Sequence, residues 1–353
     1  ASHGRFDTTY GNPGEPDAGV FIDLDQKRYD VAAGLRRSFG IFSGLDLRLG
    51  TTDYDHVEIE GGETGTTFLN DSDEARVALP HRKLGAFSGT IGAQYFRREF
   101  SALGEEAFVP PTETENWAAF LFEEAGEGDL RFQLGLRYEN QVNSARAFPA
   151  EAGEEPEPAP QARSFSAISA STGLVWSPGE TWGLAISVSR SEKLPNAEEL
   201  YSNGPHLATA AFEIGDPSLD KETSLGVEAS LRKRSGRLKG ALTLFANRFD
   251  DYIFERFTDE FVAGEEDELR VVRFEQTDAE FRGAELEGHF DLVETDAHHL
   301  ELEATADFVR AEERGSGDPL PRIPPRRFSL GLRYQGPHLF GSVRGRSIAE
   351  QDR

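Results

Sequence analysis

The residue types best suited to metal chemistry lie in one short stretch, DYDHVEIE, between positions 53 and 60. If this stretch is a β-strand, His56, Glu58 and Glu60 share one face and Asp53 lies on the other. Imidazole and carboxylate groups are suitable ligands for zinc and other divalent ions. These four residues are therefore a candidate metal site, and a solvated strand end is the alternative interpretation.

A second candidate lies in a long polar segment, where His206, Glu213 and Asp216 could converge because they belong to one loop. A structural role in the loop is the alternative. The adjacent pair His298-His299 follows Thr295-Asp296, in what we expect to be a turn. Both candidate sites assume that the substrate is a zinc ion or an iron chelate, and no resident cofactor is expected.

Composition argues against several other classes of function. The sequence has no Ser/His/Asp ordering, P-loop, GxSxG or HExxH pattern, so an enzyme is not expected. It has no Cys, which excludes disulfides and thiolate metal sites. The formal charge of −26 disfavours nucleic-acid binding. The acidic residues provide either solubility or a vestibule and lumen that attract cations.

The elements that must position these residues are strands with alternating apolar and polar side chains. The clearest example has Leu130, Phe132, Leu134, Leu136 and Tyr138 on one face. About fifteen strands of this kind can be counted, many near the ~10 residues that a tilted membrane strand requires. The pattern predicts an all-β protein, a transmembrane antiparallel β-barrel whose strands are apolar outside and polar inside.

The connections between the strands alternate in length. Those around 126–128, 178–180 and 235–236 are short, whereas 141–163 and 192–221 are long. Short turns at one end and long loops at the other are typical of outer-membrane barrels. The acidic residues expected to face the lumen are Glu222, Glu228, Glu285, Glu287, Glu301, Glu303 and Asp307.

The long connection also carries a family resemblance. Its sequence, SEKLPNAEELYSNGPHLATAAFEIGDPSLDKETS (Ser191–Ser224), resembles the extracellular-loop signature of TonB-dependent outer-membrane receptors, in the subset of zinc and siderophore receptors. Four further stretches, beginning at Tyr54, Phe100, Ala246 and Leu320, look like the same barrel in the same order. The signature residues are Pro195, Glu198, Glu199, Tyr201, Gly204, Pro205, Gly215, Asp216 and Pro217.

The resemblance implies a barrel of about twenty-two strands around an N-terminal plug in the outer membrane of a Gram-negative bacterium. We expect residues 1–353 to be part of that barrel domain, about 15 of the 22 strands, with the plug and the last strands missing. The implied partners are outer-membrane lipid, the plug, the TonB–ExbB–ExbD complex and a metal or siderophore substrate. A passive porin-like channel and a soluble all-β binding module are the alternatives. For the signature loop itself a structural role is favoured, with a short helical turn over NAEELY.

Overall fold

In a computed structural model the chain forms one continuous, almost entirely antiparallel β-sheet. The structure describes residues 1–11, 21–60, 62–104, 107–148, 158–206, 209, 211–263 and 268–351. No helix among these residues is long and apolar enough to cross a membrane.

Seventeen strands and one short helix make up the described part of the chain. They are β1 (Ser2–Gly11), β2 (Phe21–Leu35), β3 (Leu45–Glu60), β4 (Glu63–Pro80), β5 (Phe87–Leu103), β6 (Thr112–Glu127), β7 (Leu130–Ala145), β8 (Arg163–Trp176), β9 (Trp182–Lys193), α1 (Ala197–Tyr201), β10 (Asn203–His206), β11 (Ala211–Ile214), β12 (Glu222–Lys233), β13 (Leu238–Ala263), β14 (Glu268–Glu294), β15 (His299–Glu313), β16 (Arg327–Gln335) and β17 (Phe340–Ile348).

Fifteen of these strands form the wall, because β10 and β11 belong to the excursion between β9 and β12. Strands β1 to β9 pair with their chain neighbours, β9 pairs with β12 across the excursion, and β12 to β17 continue in order. Strand β11 instead adds in parallel to β14. The sequence-based count of about fifteen strands is therefore confirmed.

The outward face of the wall is recognised by its exposed apolar side chains. On β7, Leu130, Phe132, Leu134, Leu136 and Tyr138 are between 39% and 50% exposed. Trp176 and Trp182 mark the same face at the short-turn end and are 45% and 43% exposed. Large apolar groups on a surface are stable against lipid tails, so this band is the lipid-facing surface and the alternate positions face the lumen.

Strands β13 and β14 are the longest, with 26 and 27 residues. Crossing a bilayer takes about 9–11 residues of a tilted strand, so both continue well beyond the apolar band. Their pairing shifts register between Phe249 and Tyr252 and again between Phe257 and Phe261. Such bulges increase the local twist and re-aim the side chains of the strand.

The largest buried core lies under the excursion between β9 and β12. It contains Phe108, Val109, Phe165, Ala167, Leu194, Ala197, Leu200, Tyr201, Leu219 and Ile253. We call it the loop core. Leu200 and Leu219 are 0% and 2% exposed, and burial of a leucine side chain stabilises a fold by roughly 1.5–3 kcal/mol. The long connection is thus a packed part of the protein.

Candidate functional site

The helix α1 is defined by its N-terminal cap. The side chain of Asn196 accepts a hydrogen bond from the Glu199 amide at 2.6 Å, and the Glu199 carboxylate accepts one from the Asn196 amide at 2.9 Å. This reciprocal capping box satisfies two amide groups that would otherwise lack partners. The helical turn predicted over NAEELY is therefore present.

Hydrogen bonds to β7 hold both ends of α1. The carbonyl of Pro195 accepts from the side-chain amides of Asn143 at 2.9 Å and Gln141 at 2.8 Å. At the other end the Tyr201 hydroxyl lies 3.1 Å from the carbonyl oxygens of Asn143 and Gln161 and donates to them. Because Asn143 and Tyr201 are buried, these bonds are shielded from competing water.

A charge group with two buried carboxylates and a half-exposed lysine joins the excursion to the wall. Lys193 Nζ lies 2.7 Å from the Glu199 carboxylate and 3.5 Å from that of Glu222. The same Glu222 oxygen accepts a hydrogen bond from the Ile253 amide at 2.7 Å. Burial raises the pKa of Glu222, although the charge of Lys193 and the Ile253 amide oppose that change. One ammonium group thus holds two carboxylates from different elements.

Two glycines allow the backbones of the excursion to approach each other. A Cβ on Gly204 would lie 2.7 Å from the Ala107 carbonyl oxygen, and one on Gly215 would lie 2.8 Å from backbone atoms of Leu200 and Tyr201. Side chains at these positions would collide with rigid backbone, so these contacts require glycine.

The remaining signature residues make local contacts. Glu198 pairs with Arg98 of β5 at 2.8 Å. Asp216 accepts a hydrogen bond from the Ser218 amide at 2.7 Å, which closes a turn around the exposed Pro217. Pro205 pairs with Phe212 where β10 meets β11.

The predicted pair His206 and Glu213 does come together. Nδ1 of His206 lies 2.8 Å from Oε1 of Glu213, which also accepts from the Thr209 hydroxyl at 2.9 Å. The imidazole stacks on Phe108 of the loop core with 4.2 Å between ring centroids. Burial opposes ionisation of Glu213, but the hydrogen bonds and charge of His206 outweigh it and lower the pKa of Glu213. Asp216 does not join this pair, since its carboxylate caps the turn described above.

A second pair lies beside the first. Glu255 of β13, on the face that carries Ile253, forms an ion pair with Arg322 from the loop between β15 and β16. Arg322 has φ of +59°, a left-handed conformation that costs energy for a residue with a side chain. Burial raises the pKa of Glu255, against the opposing charge of Arg322. We call Phe108, His206, Glu213, Glu255 and Arg322 the loop-end cluster.

The other candidate site is only partly assembled. His56 stacks on Phe68 at 4.5 Å, and its Nδ1 is buried with no hydrogen-bond partner among the described residues. Burial lowers the pKa of His56. Asp53 lies on the opposite, outward face, with its carboxylate 3.8 Å from Lys27 Nζ. By alternation Glu58 shares the face of His56, and the side chain of Glu60 is outside the described part of the structure. A metal site here stays a prediction.

The structure also brings together residues that the sequence did not group. Five metal-ligating side chains meet on the lumen side of β14 and β15: His289, Asp291, His299, Glu301 and Glu303. The sequence predicted that Glu301 and Glu303 face the lumen and that the pair at 298–299 lies in a turn. These residues meet because of the register between β14 and β15, which local sequence patterns do not reveal.

Fifteen antiparallel wall strands, a lipid-facing apolar band, short turns at one end and a folded excursion at the other define an outer-membrane β-barrel. The chain belongs to the TonB-dependent receptor family, because residues 2–352 match the family described as "TonB dependent receptor-like, beta-barrel". The predictions of family, fold class and outer-membrane location are confirmed.

Solved structures with the same fold are receptors of this kind. The chain superposes on "Copper transporter OprC" with a TM-score of 0.77 at 15% identity, covering 95% of this chain and 54% of that one. It matches the Serratia marcescens hemophore receptor HasR, in a complex with HasA and heme, with a TM-score of 0.72 at 13% identity, over 96% and 64% of the two chains. For the FrpB iron transporter from Neisseria meningitidis (F3-3 variant) the TM-score is 0.66 at 14% identity, over 93% and 51%. The chain thus spans about half to two thirds of these proteins.

Proposed function

We propose that this chain forms barrel wall in a receptor that imports a metal chelate across the outer membrane, with energy from the TonB–ExbB–ExbD complex. Family membership supports the transport mechanism. In this proposal residues 1–353 are part of the barrel domain, and a plug and further strands belong to the rest of the receptor. The chelate is of the zinc or iron-siderophore type.

The proposed class of substrate is inferred from the residues of the loop-end cluster. His206, Glu213 and Glu255 supply the nitrogen and oxygen donors that suit a transition metal. Arg322 supplies a cation that would repel a bare metal ion and attract the anionic groups of a chelator. A chelate, which presents both kinds of group, therefore fits this cluster better than a free ion.

The charge of the chain favours chelates whose own net charge is positive or near zero. A net charge of −26 gives the surface a field that raises the local concentration of cations. A cationic or partly neutralised metal complex would gain from this field as it approaches the loop end. The gain would fall as salt screens the charges, with a Debye length of about 8 Å at physiological ionic strength.

The test is a calorimetric titration of the purified receptor with Zn²⁺ and, separately, with a ferric siderophore. His206→Ala and His56→Ala are the variants, and His338→Ala, in an exposed turn at the other end of the barrel, is the matched control. We expect His206→Ala to weaken binding of the chelate at least tenfold. Unchanged affinity for both probes in both variants would rule out these sites.

Uptake by cells separates the receptor from a passive channel. We expect accumulation of the labelled chelate to require an intact TonB complex. Uptake that continues at the same rate without TonB would favour the porin-like alternative.

A further inference from the structure

A second polar cluster lies on the lumen side of the wall, near the short-turn end of β14 and β15 and far along the strands from the loop-end cluster. It contains two groups whose ligand atoms all lie within 4.8 Å of one another: His289, Glu301 and Glu303, and Asp291, His299 and Glu301. Glu301 belongs to both. Alternation places these side chains on the face opposite Leu286 and Leu292, which belong to the exposed apolar band.

An irregularity in the sheet builds this cluster. The register between β14 and β15 shifts between Asp291 and Val293, so that one extra residue stands on β14. Bulges of this kind re-aim side chains and are frequent next to functional sites. Here the bulge allows Nε2 of His299 to reach within 2.8 Å of Oδ1 of Asp291, although these residues are not cross-strand partners.

The carboxylates in the cluster differ in how fully they are neutralised. The carboxylate of Glu303 lies 2.6 Å from the guanidinium groups of both Arg333 and Arg344, so its negative charge is already balanced. Glu301 is 12% exposed in its side chain and meets Nδ1 of His289 at 3.3 Å. A carboxylate facing an imidazole is weakly compensated unless the ring is protonated or a cation is bound.

Asp291 gives an independent indication. Its side chain is 1% exposed and points into the cluster. Its Oδ1 atom meets Nε2 of His299 at 2.8 Å, and its Oδ2 atom is buried 2.9 Å from Nζ of Lys239. A metal ion at this carboxylate would therefore bind through Oδ1, or would displace the Lys239 ammonium from Oδ2.

We propose that Asp291, His299 and Glu301 form a binding site for a divalent transition-metal ion on the lumen wall, with His289 next to Glu301 as a further donor. One imidazole and two carboxylates are a donor set that suits zinc. Tetrahedral zinc with bonds of about 2.0–2.1 Å places its ligand atoms about 3.3 Å apart. The ligand atoms of Asp291, His299 and Glu301 lie within 4.8 Å of one another, with 2.8 Å between His299 and Asp291, so small side-chain movements would bring them to that spacing. Three protein ligands leave a fourth position for water or for a donor of a chelator.

The site goes beyond the proposed function, because it concerns a metal ion held by the wall itself. Binding of the ion does not depend on which chelate the receptor imports. A role for the site during import, as a place where the lumen wall holds a passing metal ion, rests on the proposed function.

Zn²⁺ alone is titrated into the purified receptor by calorimetry, in a background that carries both His56→Ala and His206→Ala and so lacks the histidines of the other two candidate sites. His299→Ala and Glu301→Gln are the test variants. His298→Ala is the matched control, since it removes the neighbouring imidazole, whose Nδ1 contacts the Tyr334 hydroxyl at 2.7 Å. Co²⁺ is used as a second probe, because tetrahedral cobalt has intense visible absorption bands.

We expect one Zn²⁺ equivalent in the background protein, at least tenfold weaker binding in both test variants, and no change in His298→Ala. Co²⁺ bands should appear in the background protein and be lost in Glu301→Gln, a variant that keeps side-chain size and so preserves the fold. Equal affinity in all proteins, or an equal loss in His298→Ala, would overturn the site. Failure of chelate uptake with intact Zn²⁺ binding would contradict the proposed function and leave this site standing.

Discussion

Replacement of Lys193 by methionine should loosen the excursion between β9 and β12. The ammonium lies 2.7 and 3.5 Å from the carboxylates of Glu199 and Glu222, whose side chains are 10% and 6% exposed. At an effective dielectric constant of about 20, the Coulomb attraction in these two contacts is about 6 and 5 kcal/mol. Most of this attraction offsets the cost of removing the charged groups from water. Removal of one partner of a buried pair typically costs about 3–5 kcal/mol. Because the Lys193 side chain is 50% exposed, screening reduces the expected loss to about 2 kcal/mol.

Hydrogen exchange measured by mass spectrometry reports this loss directly. A cost of about 2 kcal/mol makes local opening about 30-fold more frequent, so amides in residues 194–206 and 211–221 should exchange about 30-fold faster. The effect should shrink as pH falls. Burial already raises the pKa of Glu222, and loss of the ammonium raises it further. The folded variant then binds more protons than the unfolded chain, so lowering the pH through the folded pKa stabilises it.

A control variant and a rescue variant test whether Lys193 holds the excursion. Lys83→Met removes an exposed lysine in the turn between β4 and β5 and should leave exchange unchanged. Addition of Glu222→Gln to Lys193→Met should recover part of the protection, because one unpaired charge is removed. Exchange within twofold of the parent, or equal acceleration by Lys83→Met, would show that the charge group does not hold the excursion.

Three further predictions concern the same end of the barrel. Tyr201→Phe should destabilise the excursion by about 1 kcal/mol through loss of a buried hydroxyl donor, as seen in hydrogen exchange, whereas Tyr95→Phe should be neutral because that hydroxyl is exposed. Gly215→Ala should disrupt the loop core and weaken chelate binding, since the new Cβ would meet three backbone atoms at 2.8 Å, whereas Gly345→Ala meets nothing within 4 Å. Burial opposes ionisation of Glu192, but hydrogen bonds from Lys221, the Ile168 amide and Arg190 lower its pKa from 4.5 to about 2. This carboxylate should therefore contribute about 3 kcal/mol to the free energy of unfolding above pH 4.5, and that contribution should be lost as the pH falls toward 2. A flat acid-unfolding profile in both the Glu192→Gln variant and the parent would contradict this prediction.

The features that the sequence predicted are those with local causes. The lipid-facing side of β7 follows from strict alternation over nine residues, because the strand period is two. The helix α1 follows from Asn196 and Glu199, whose capping contacts span three residues. Short turns and long connections could be separated by their content of Gly, Pro and charged residues.

The features that the sequence did not predict depend on register between distant segments. Glu255 and Arg322 are 67 positions apart and meet only because a loop folds over β13. The contact between Asp291 and His299 requires a one-residue bulge that leaves no periodic signal. Alternation did predict that Asp53 and His56 would lie on opposite faces, which argues against Asp53 as a ligand beside His56.

The length of β13 and β14 has a consequence for how the cell surface changes in evolution. From Phe261 onward the described residues pair within this hairpin, apart from Arg270, which also pairs with Ala211 of β11. Substitution of exposed side chains there leaves the pairing of the wall strands unchanged. Antibodies and bacteriophages that approach the cell would meet this ribbon before they meet the lipid band. Exposed positions on its outer part, such as Asp259 and Phe261, can therefore change under selection without a change in wall register.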